Sequence, residues 1–196
     1  MIVNIYLSPP PYPITQGADF HIGVEKGALY ALESGVHLDL VIGDFDSISS
    51  LELKYLETLQ IPIIKHATEK DQTDAELALE EALKKDPSKV YIHTSSGPRI
   101  DHLYANLRTL IPGVSVLVGP TFKAYRLLPG QFKINPSLDY LSIFALKTVK
   151  ELELKGFKYH GFIETLEMDD VKGISNEGEG TLSFTEGEIL IIESKD

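Results

Sequence analysis

Short apolar segments alternate with amphipathic ones along the first 119 residues of the chain. The apolar segments have the length and composition of buried strands, and the stretches between them repeat at helical spacing. Strands are predicted at 2–7, 20–24, 38–42, 61–64, 90–94 and 114–118. This alternation predicts strand–helix units around a parallel sheet, an α/β fold of the Rossmann-like kind.

Three of the intervening stretches are predicted to be helices because their apolar residues fall on one face. These apolar faces are formed by Leu51, Tyr55 and Leu59, by Ala75, Ala78, Leu79 and Ala82, and by Leu103, Leu107 and Leu110. Ser49 and Glu52 have the spacing of a capping box, so the first of these helices is expected to begin there.

The pattern changes after Gly119, where short strand-like segments are separated by Gly and Pro and no helix-length amphipathic run occurs. These segments are 124–128, 140–145, 151–154, 180–184 and 189–193. They predict a small antiparallel β domain, either a sandwich or a barrel. We therefore expect two domains, an α/β domain over 1–119 and a β domain over 120–196.

The composition of the chain limits which partners and which cellular compartment we expect. The net charge of −11 repels nucleic-acid phosphates and anionic membranes, so neither is an expected partner. A phosphorylated substrate would then need a divalent cation to screen it. The chain has no cysteine, which excludes disulfides, thiolate metal sites and cysteine nucleophiles and fits a cytoplasmic protein. The short apolar start, without a basic leader, is expected to be a strand rather than a signal peptide.

Asp44 and Asp46 follow the predicted strand 38–42. In an extended Asp-x-Asp the two carboxylates point the same way, which suits Mg²⁺ because that ion prefers hard oxygen ligands. The alternative is a turn in which each aspartate accepts hydrogen bonds from nearby amides. The residues alone leave both interpretations open.

Asp71 and Asp74 lie three residues apart where the helix 73–85 is expected to begin. Thr73 and Glu76 have capping-box spacing, and acidic residues at a helix start are favourable without any function. However, a second acidic pair at the same edge of the sheet would increase repulsion there, and a bound cation would relieve it.

Arg99, Asp101 and His102 follow the strand 90–94 and precede another predicted helix. Arg99 is suited to bind phosphate as a fork, aided by the helix N-terminus. Asp101 is alternatively a helix N-cap, and His102 is alternatively an ordinary surface residue.

Four short motifs, in this order, resemble the thiamine pyrophosphokinase family over essentially the whole chain. They are Gly43-Asp44-Phe45-Asp46-Ser47, Lys70-Asp71-Gln72-Thr73-Asp74, Arg99-Ile100-Asp101-His102 and Ser175-Asn176-Glu177. The resemblance implies transfer of the diphosphate of ATP to the hydroxyl of thiamine, giving thiamine diphosphate and AMP. It also implies a homodimer whose active site lies between the two subunits.

The resemblance further implies a role for each motif. The acidic group that would hold Mg²⁺ and the ATP phosphates is Asp44, Asp46, Asp71 and Asp74. The nucleotide side would be completed by Lys70, Thr73, Arg99, Asp101, His102 and Glu25. The C-terminal domain would be a β-sandwich, and Ser175 and Asn176 from the partner's β-sandwich would contact thiamine. Two departures from the family pattern are Glu25, where many members have Asp, and Pro98, which replaces a glycine before the arginine.

Two other functions remain as alternatives at this point. One is a different Mg²⁺-dependent phosphotransferase or phosphohydrolase, in which an aspartate of the Asp-x-Asp would be the nucleophile. The other is a thiamine-binding or nucleotide-binding protein without catalysis. The chain contains no Trp, so any ring stacked on thiamine must belong to Tyr, Phe or His.

Overall fold

The computed structural model describes residues 1–7, 17–69, 71–95 and 99–196 of a mixed α/β protein. The chain divides into two compact units. Unit 1 comprises Met1–Thr109 and Val114–Pro120, and unit 2 comprises Leu110–Gly113 and Thr121–Asp196. The predictions for Lys70 and Pro98 concern residues outside these described ranges.

Unit 1 is a parallel sheet with helices in the connections. Its elements are β1 (Ile2–Tyr6), β2 (Phe20–Val24), α1 (Lys26–Glu33), β3 (Leu40–Gly43), α2 (Ser50–Thr58), β4 (Ile63–Lys65), α3 (Asp74–Leu83), β5 (Lys89–His93), α4 (Ile100–Thr109) and β6 (Ser115–Val118). The strands pair in the order β4-β3-β2-β1-β5-β6, and each of these pairs is parallel. Their carboxyl ends therefore meet at one edge, where open α/β sheets bind ligands.

The predicted strands of unit 1 are confirmed with shifts of one or two residues at their ends. The capping box that begins α2 is confirmed as well, since Ser49 and Glu52 cap each other's backbone N–H groups. The apolar face expected for this helix is confirmed only at Leu59, which packs against the core. Leu51 and Tyr55 are 77% and 51% exposed, whereas Leu56 is fully buried.

The pattern analysis missed α1, which directly follows β2. The helix contains a glycine, Gly27. Glycine disfavours helices, so the pattern did not indicate one here, and its lack of a side chain also determines how the helix packs. A Cβ at this position would lie 2.2 Å from the carbonyl oxygen of Tyr6, so glycine allows α1 to pack closely against β1. The apolar side of the helix is buried and includes Ala28, Leu29 and Ala31.

Unit 2 consists of antiparallel strands. They are β7 (Phe122–Leu127), β8 (Gly130–Ile134), β9 (Tyr140–Lys155), β10 (Gly161–Leu166), β11 (Gly180–Phe184) and β12 (Glu186–Ser194). β12 pairs with β7 and β9, β9 also pairs with β10 and β11, and β11 pairs with β8. Buried aliphatic residues, including Leu141, Ile143, Leu152 and Ile191, form its core.

The prediction of separate strands at 140–145 and 151–154 is wrong, because both belong to the 16-residue strand β9. Its middle is polar, and Glu151 has a φ of 54°, so the apolar alternation breaks although the strand continues. The strands β8 and β10 were missed because they have few buried positions.

Two buried carboxylates in unit 2 are neutralised by ion pairs and hydrogen bonds. Glu193, 1% exposed, accepts hydrogen bonds of 2.7 Å from both the backbone N–H and the hydroxyl of Ser137. Its other oxygen lies 3.2 Å from Lys123 Nζ. Glu188 is paired with Arg126 and Lys147. These partners offset the cost of burying the two charges.

No helix in the described parts of the chain combines the length and the apolar character that crossing a membrane requires.

Candidate functional site

A cavity of about 720 Å³ lies in unit 1, at the edge where the parallel strands end. It is bordered by the residue after β2, by the loop after β3 and by the N-terminal parts of α3 and α4. Among the described residues that line it, Arg99 is the only Lys or Arg, and no Phe, Tyr or Trp occurs. The described lining combines carboxylates and hydroxyls with aliphatic side chains such as Leu7, Val24 and Leu103.

Three half-buried carboxylates meet in this cavity. Glu25, Asp44 and Asp74 each offer an oxygen within 4.8 Å of the other two. Three negative charges at this spacing repel one another, and a bound cation would offset that repulsion. Carboxylate oxygens are the ligands that Mg²⁺ prefers, so the chemistry of this donor set fits that ion.

The loop after β3 is a turn rather than an extended segment. Phe45 has a φ of 64°, and the backbone N–H of Asp46 donates to Asp44 Oδ1 at 3.1 Å. The extended Asp-x-Asp geometry considered from the sequence is therefore wrong, and the alternative turn is found. Asp46 is exposed and still lines the cavity, but it is not part of the three-carboxylate group.

Glu25 is bonded to this loop. Its Oε1 accepts a hydrogen bond of 2.6 Å from the backbone N–H of Phe45, and its Oε2 accepts one of 2.6 Å from the hydroxyl of Ser47. These contacts could not be predicted from the sequence because the partners are 20 and 22 residues apart along the chain. The sequence pointed to Glu25 through the family resemblance.

The helix α3 begins within the second acidic motif. Asp74 is the first residue of that helix and Thr73 is its N-cap, with Thr73 Oγ1 accepting from the N–H of Glu76 at 3.2 Å. Thr73 and Asp74 line the cavity, whereas Asp71 is exposed and is not among the described lining residues. Thr73 therefore caps α3 and lines the cavity at the same time.

The third motif forms an ion pair. Arg99 Nε lies 3.0 Å from Asp101 Oδ1, and Arg99 Nη2 lies 2.7 Å from Asp101 Oδ2. Hydrogen bonding from Arg99 is the main cause that lowers the pKa of Asp101 to about 2. Arg99 and His102 line the cavity, but Asp101 does not appear among its described lining residues. Asp101 lies inside the first turn of α4, so the N-cap interpretation is wrong.

Asn176 lies in unit 2 and is 4% exposed. Its Oδ1 accepts from the N–H groups of Tyr159 and Glu177, both at 2.9 Å, and its Nδ2 donates to the carbonyl of Tyr159 at 2.8 Å. The amide therefore fixes the backbone of Tyr159. The neighbouring Ser175 has a φ of 55° and donates its N–H to Ser142 Oγ at 3.1 Å.

A second cavity, of about 190 Å³, is bordered by Asn176 and by the aromatic residues Tyr159, His160 and Phe162. Tyr159 and Phe162 are 60% and 61% exposed, which is unusual for rings of this size. The sequence had limited any stacking ring to Tyr, Phe or His but had not identified which residue. Ser175 is not among the described residues that line this cavity.

Comparison with known proteins identifies the family. A family model described as thiamin pyrophosphokinase, catalytic domain, matches residues 13–116, more than half of the chain. The thiamine pyrophosphokinase of Bacillus subtilis (strain 168) is 33% identical over 186 residues, covering 89% of this chain and 87% of that protein.

Solved structures give the same result. The crystal structure of thiamine pyrophosphokinase from Bacillus subtilis has a TM-score of 0.90 and 30% identity, covering 100% of both chains. A thiamin pyrophosphokinase family protein from Enterococcus faecalis also has a TM-score of 0.90 and 30% identity, covering 100% of this chain and 99% of that one. Together with the match over residues 13–116, these similarities show that the chain belongs to the thiamine pyrophosphokinase family.

Proposed function

We propose that this protein transfers the diphosphate group of ATP to the hydroxyl group of thiamine, giving thiamine diphosphate and AMP. The observation that carries this proposal is the 33% identity to a thiamine pyrophosphokinase over 89% of the chain. The group of Glu25, Asp44 and Asp74 at the sheet edge supports it, because transfer of a charged diphosphate requires charge neutralisation.

Unit 1 is proposed to be the ATP-binding and Mg²⁺-binding catalytic domain. Asp44 and Asp74 would hold Mg²⁺, which when bound supplies positive charge to the phosphates. Asp46 borders the same cavity and would assist. A role for Asp71 remains a prediction from the family motif.

The phosphates of ATP are proposed to lie between the acidic group and Arg99. Arg99 is the only Lys or Arg among the described lining residues, so it would supply most of the protein's positive charge there. Thr73 and His102 border the same space, and the N-terminal ends of α3 and α4 add partial positive charge. Lys70, which lies outside the described residues, is proposed to contribute a second cation.

In the proposed reaction the thiamine hydroxyl oxygen attacks the β-phosphorus of ATP. A bond forms between these atoms, and the bond from the β-phosphorus to the oxygen that bridges to the α-phosphorus breaks, so AMP leaves. A carboxylate accepts the hydroxyl proton. The candidates for this base are Asp71 and Asp74: Asp74 lines the cavity but is also proposed to hold Mg²⁺, whereas Asp71 is not among the described lining residues. The remaining catalysis is positioning of the two substrates.

The rings of thiamine are proposed to bind to unit 2. The described lining of the unit 1 cavity offers no Phe, Tyr or Trp, whereas the unit 2 cavity offers Tyr159 and Phe162 beside Asn176. Ser175 and Asn176 would thus form part of a thiamine site. We further propose a cytoplasmic homodimer, in which the active site lies between two subunits as the family resemblance implies.

The test is to incubate the purified protein with thiamine, ATP and Mg²⁺ and to separate the products by chromatography. Equal amounts of thiamine diphosphate and AMP are expected, with none formed when EDTA removes the metal. Asp74→Asn should reduce turnover by at least about 100-fold while the protein stays folded. Thiamine monophosphate with ADP, or no product from folded protein with excess Mg²⁺, would contradict the proposal.

A further inference from the structure

Glu25 is attached at three points to the segment that carries Asp44 and Asp46. Its backbone N–H donates to the carbonyl of Ile42, at the end of β3, at 3.0 Å. Its Oε1 and Oε2 accept from the Phe45 N–H and from the Ser47 hydroxyl, each at 2.6 Å. The two aspartates lie between these attachment points, so Glu25 contacts the segment on both sides of each of them.

The backbone conformation of this region depends on such contacts. Glu25 and Phe45 have φ values of 53° and 64°, a conformation that residues other than glycine adopt only where the surrounding structure imposes it. Glu25 occupies the N-cap position of α1, but its side chain makes no capping hydrogen bond. The carboxylate instead spans to the loop after β3, and Phe45 is held by its side chain in the core below.

The absence of a side chain at Gly43 makes room for the Glu25 carboxylate. A Cβ at this position would lie 1.9 Å from Glu25 Oε1, and its three nearest neighbours would all be Glu25 atoms. Gly43 is the last residue of β3 and directly precedes Asp44. The glutamate and the glycine therefore fit each other, and replacing either one disturbs the same loop.

We propose that Glu25 is a positioning residue that fixes Asp44 and Asp46 in the geometry needed to bind magnesium and ATP. The proposal rests on the proposed function. Both carboxylate oxygens are required, because one accepts from Phe45 and the other from Ser47. Glutamine would present an N–H group to one of these donors. Aspartate is one methylene shorter and cannot reach both.

The test compares Glu25→Gln, Glu25→Asp and Ser47→Ala with the matched control Ser50→Ala. Ser50 is an exposed serine at the start of α2. Without substrates, exchange of the Phe45 amide hydrogen is measured by NMR. The KM for Mg·ATP, kcat and thermal unfolding are measured in parallel. Ser47→Ala leaves every carboxylate in place, so it tests the loop attachment without removing a metal ligand.

The two Glu25 variants are expected to accelerate Phe45 amide exchange and to weaken Mg·ATP binding by about 10-fold to 100-fold, as is typical of residues that orient metal ligands. Ser47→Ala should raise the KM for Mg·ATP several-fold with a smaller change in kcat, and Ser50→Ala should change neither. Unchanged Phe45 exchange and unchanged KM in both Glu25 variants overturn the proposal, even if thermal stability falls. Faster exchange in a protein that makes no thiamine diphosphate would instead contradict the proposed function alone.

Discussion

Arg99 donates hydrogen bonds to both carboxylate oxygens of Asp101, from Nε to Oδ1 at 3.0 Å and from Nη2 to Oδ2 at 2.7 Å. Both side chains are about two-thirds exposed, at 66% and 63%, so the pair adds little to stability. The pair instead orients Arg99. It holds the planar guanidinium at the border of the unit 1 cavity, while one guanidinium nitrogen remains outside the pair.

Replacing Asp101 with asparagine should therefore affect nucleotide binding more than folding. Asparagine offers a single acceptor oxygen and no charge, so the fork that orients Arg99 is lost. We expect the KM for ATP to rise several-fold, with an unchanged thermal midpoint and an unchanged KM for thiamine. Steady-state kinetics measure this change. Equal rises in the two KM values would show that Asp101 does not act through Arg99.

Gly43 and Glu25 should show strong coupling when both are changed. Gly43→Ala should impair activity because the added methyl group displaces the Glu25 carboxylate. In a Glu25→Ala background the same methyl group meets no carboxylate, so it should add little further loss. A double-mutant cycle on kcat/KM and on urea unfolding is expected to give a coupling of about 1–3 kcal/mol. Simple additivity would mean that Gly43 is required for another reason.

Asn176 is expected to control thiamine binding through Tyr159. In Asn176→Asp the shape is kept, but the donor to the Tyr159 carbonyl is replaced by an acceptor. The unfolding free energy should fall by about 1–3 kcal/mol, because a buried hydrogen-bonded amide is lost. The KM for thiamine should rise while the KM for ATP stays the same. Tyr159→Ala serves as the comparison, and an effect on ATP instead of thiamine would contradict this assignment.

The stability of unit 1 should decrease in mild acid because of His93. This ring is fully buried, 5.0 Å from the ring of Tyr6, and burial followed by the charge of His21 lowers its pKa from 6.5 to about 4. The unfolded chain thus binds a proton more readily than the folded one. The stability contributed by neutral His93 is complete above pH 6.5 and is lost as the pH falls towards 4.

The size of this loss is about 3 kcal/mol once the pH is below both pKa values. Urea unfolding followed from pH 7 to pH 4 measures it, with His93→Phe as the comparison because phenylalanine keeps a ring and cannot titrate. The pH dependence should be markedly shallower in His93→Phe. Identical slopes in wild type and His93→Phe would contradict the assignment.

The sequence predicted the parallel strands of unit 1 and the sheet edge of the site because buried strands leave a clear apolar pattern. It could not predict contacts between residues far apart along the chain. Glu25 and Phe45 are 20 residues apart, and nothing in either segment indicates their hydrogen bond. The turn at Asp44 and Asp46 contains Phe45, which makes this contact, so the choice between the extended and turn geometries required the structure.

Local sequence patterns also led to wrong predictions where tertiary packing determines which residues are buried and how far a strand continues. Leu51 and Tyr55 form an apolar stripe but are exposed, whereas the neighbouring Leu56 is buried against the sheet. In unit 2, β9 continues through a polar stretch because β12, β10 and β11 provide backbone partners along its length. Periodicity cannot detect a strand that is held mainly by its neighbours.

The transfer of a diphosphate as one unit is the central claim, and labelled ATP tests it most directly. The protein is incubated with thiamine, Mg²⁺ and ATP labelled at either the β-phosphorus or the γ-phosphorus, and each product is isolated. Both labels should appear in thiamine diphosphate in equal yield. One molecule of unlabelled AMP should form for each molecule of thiamine diphosphate. Appearance of the γ-label alone in a thiamine product, with the β-label left in ADP, would contradict the account.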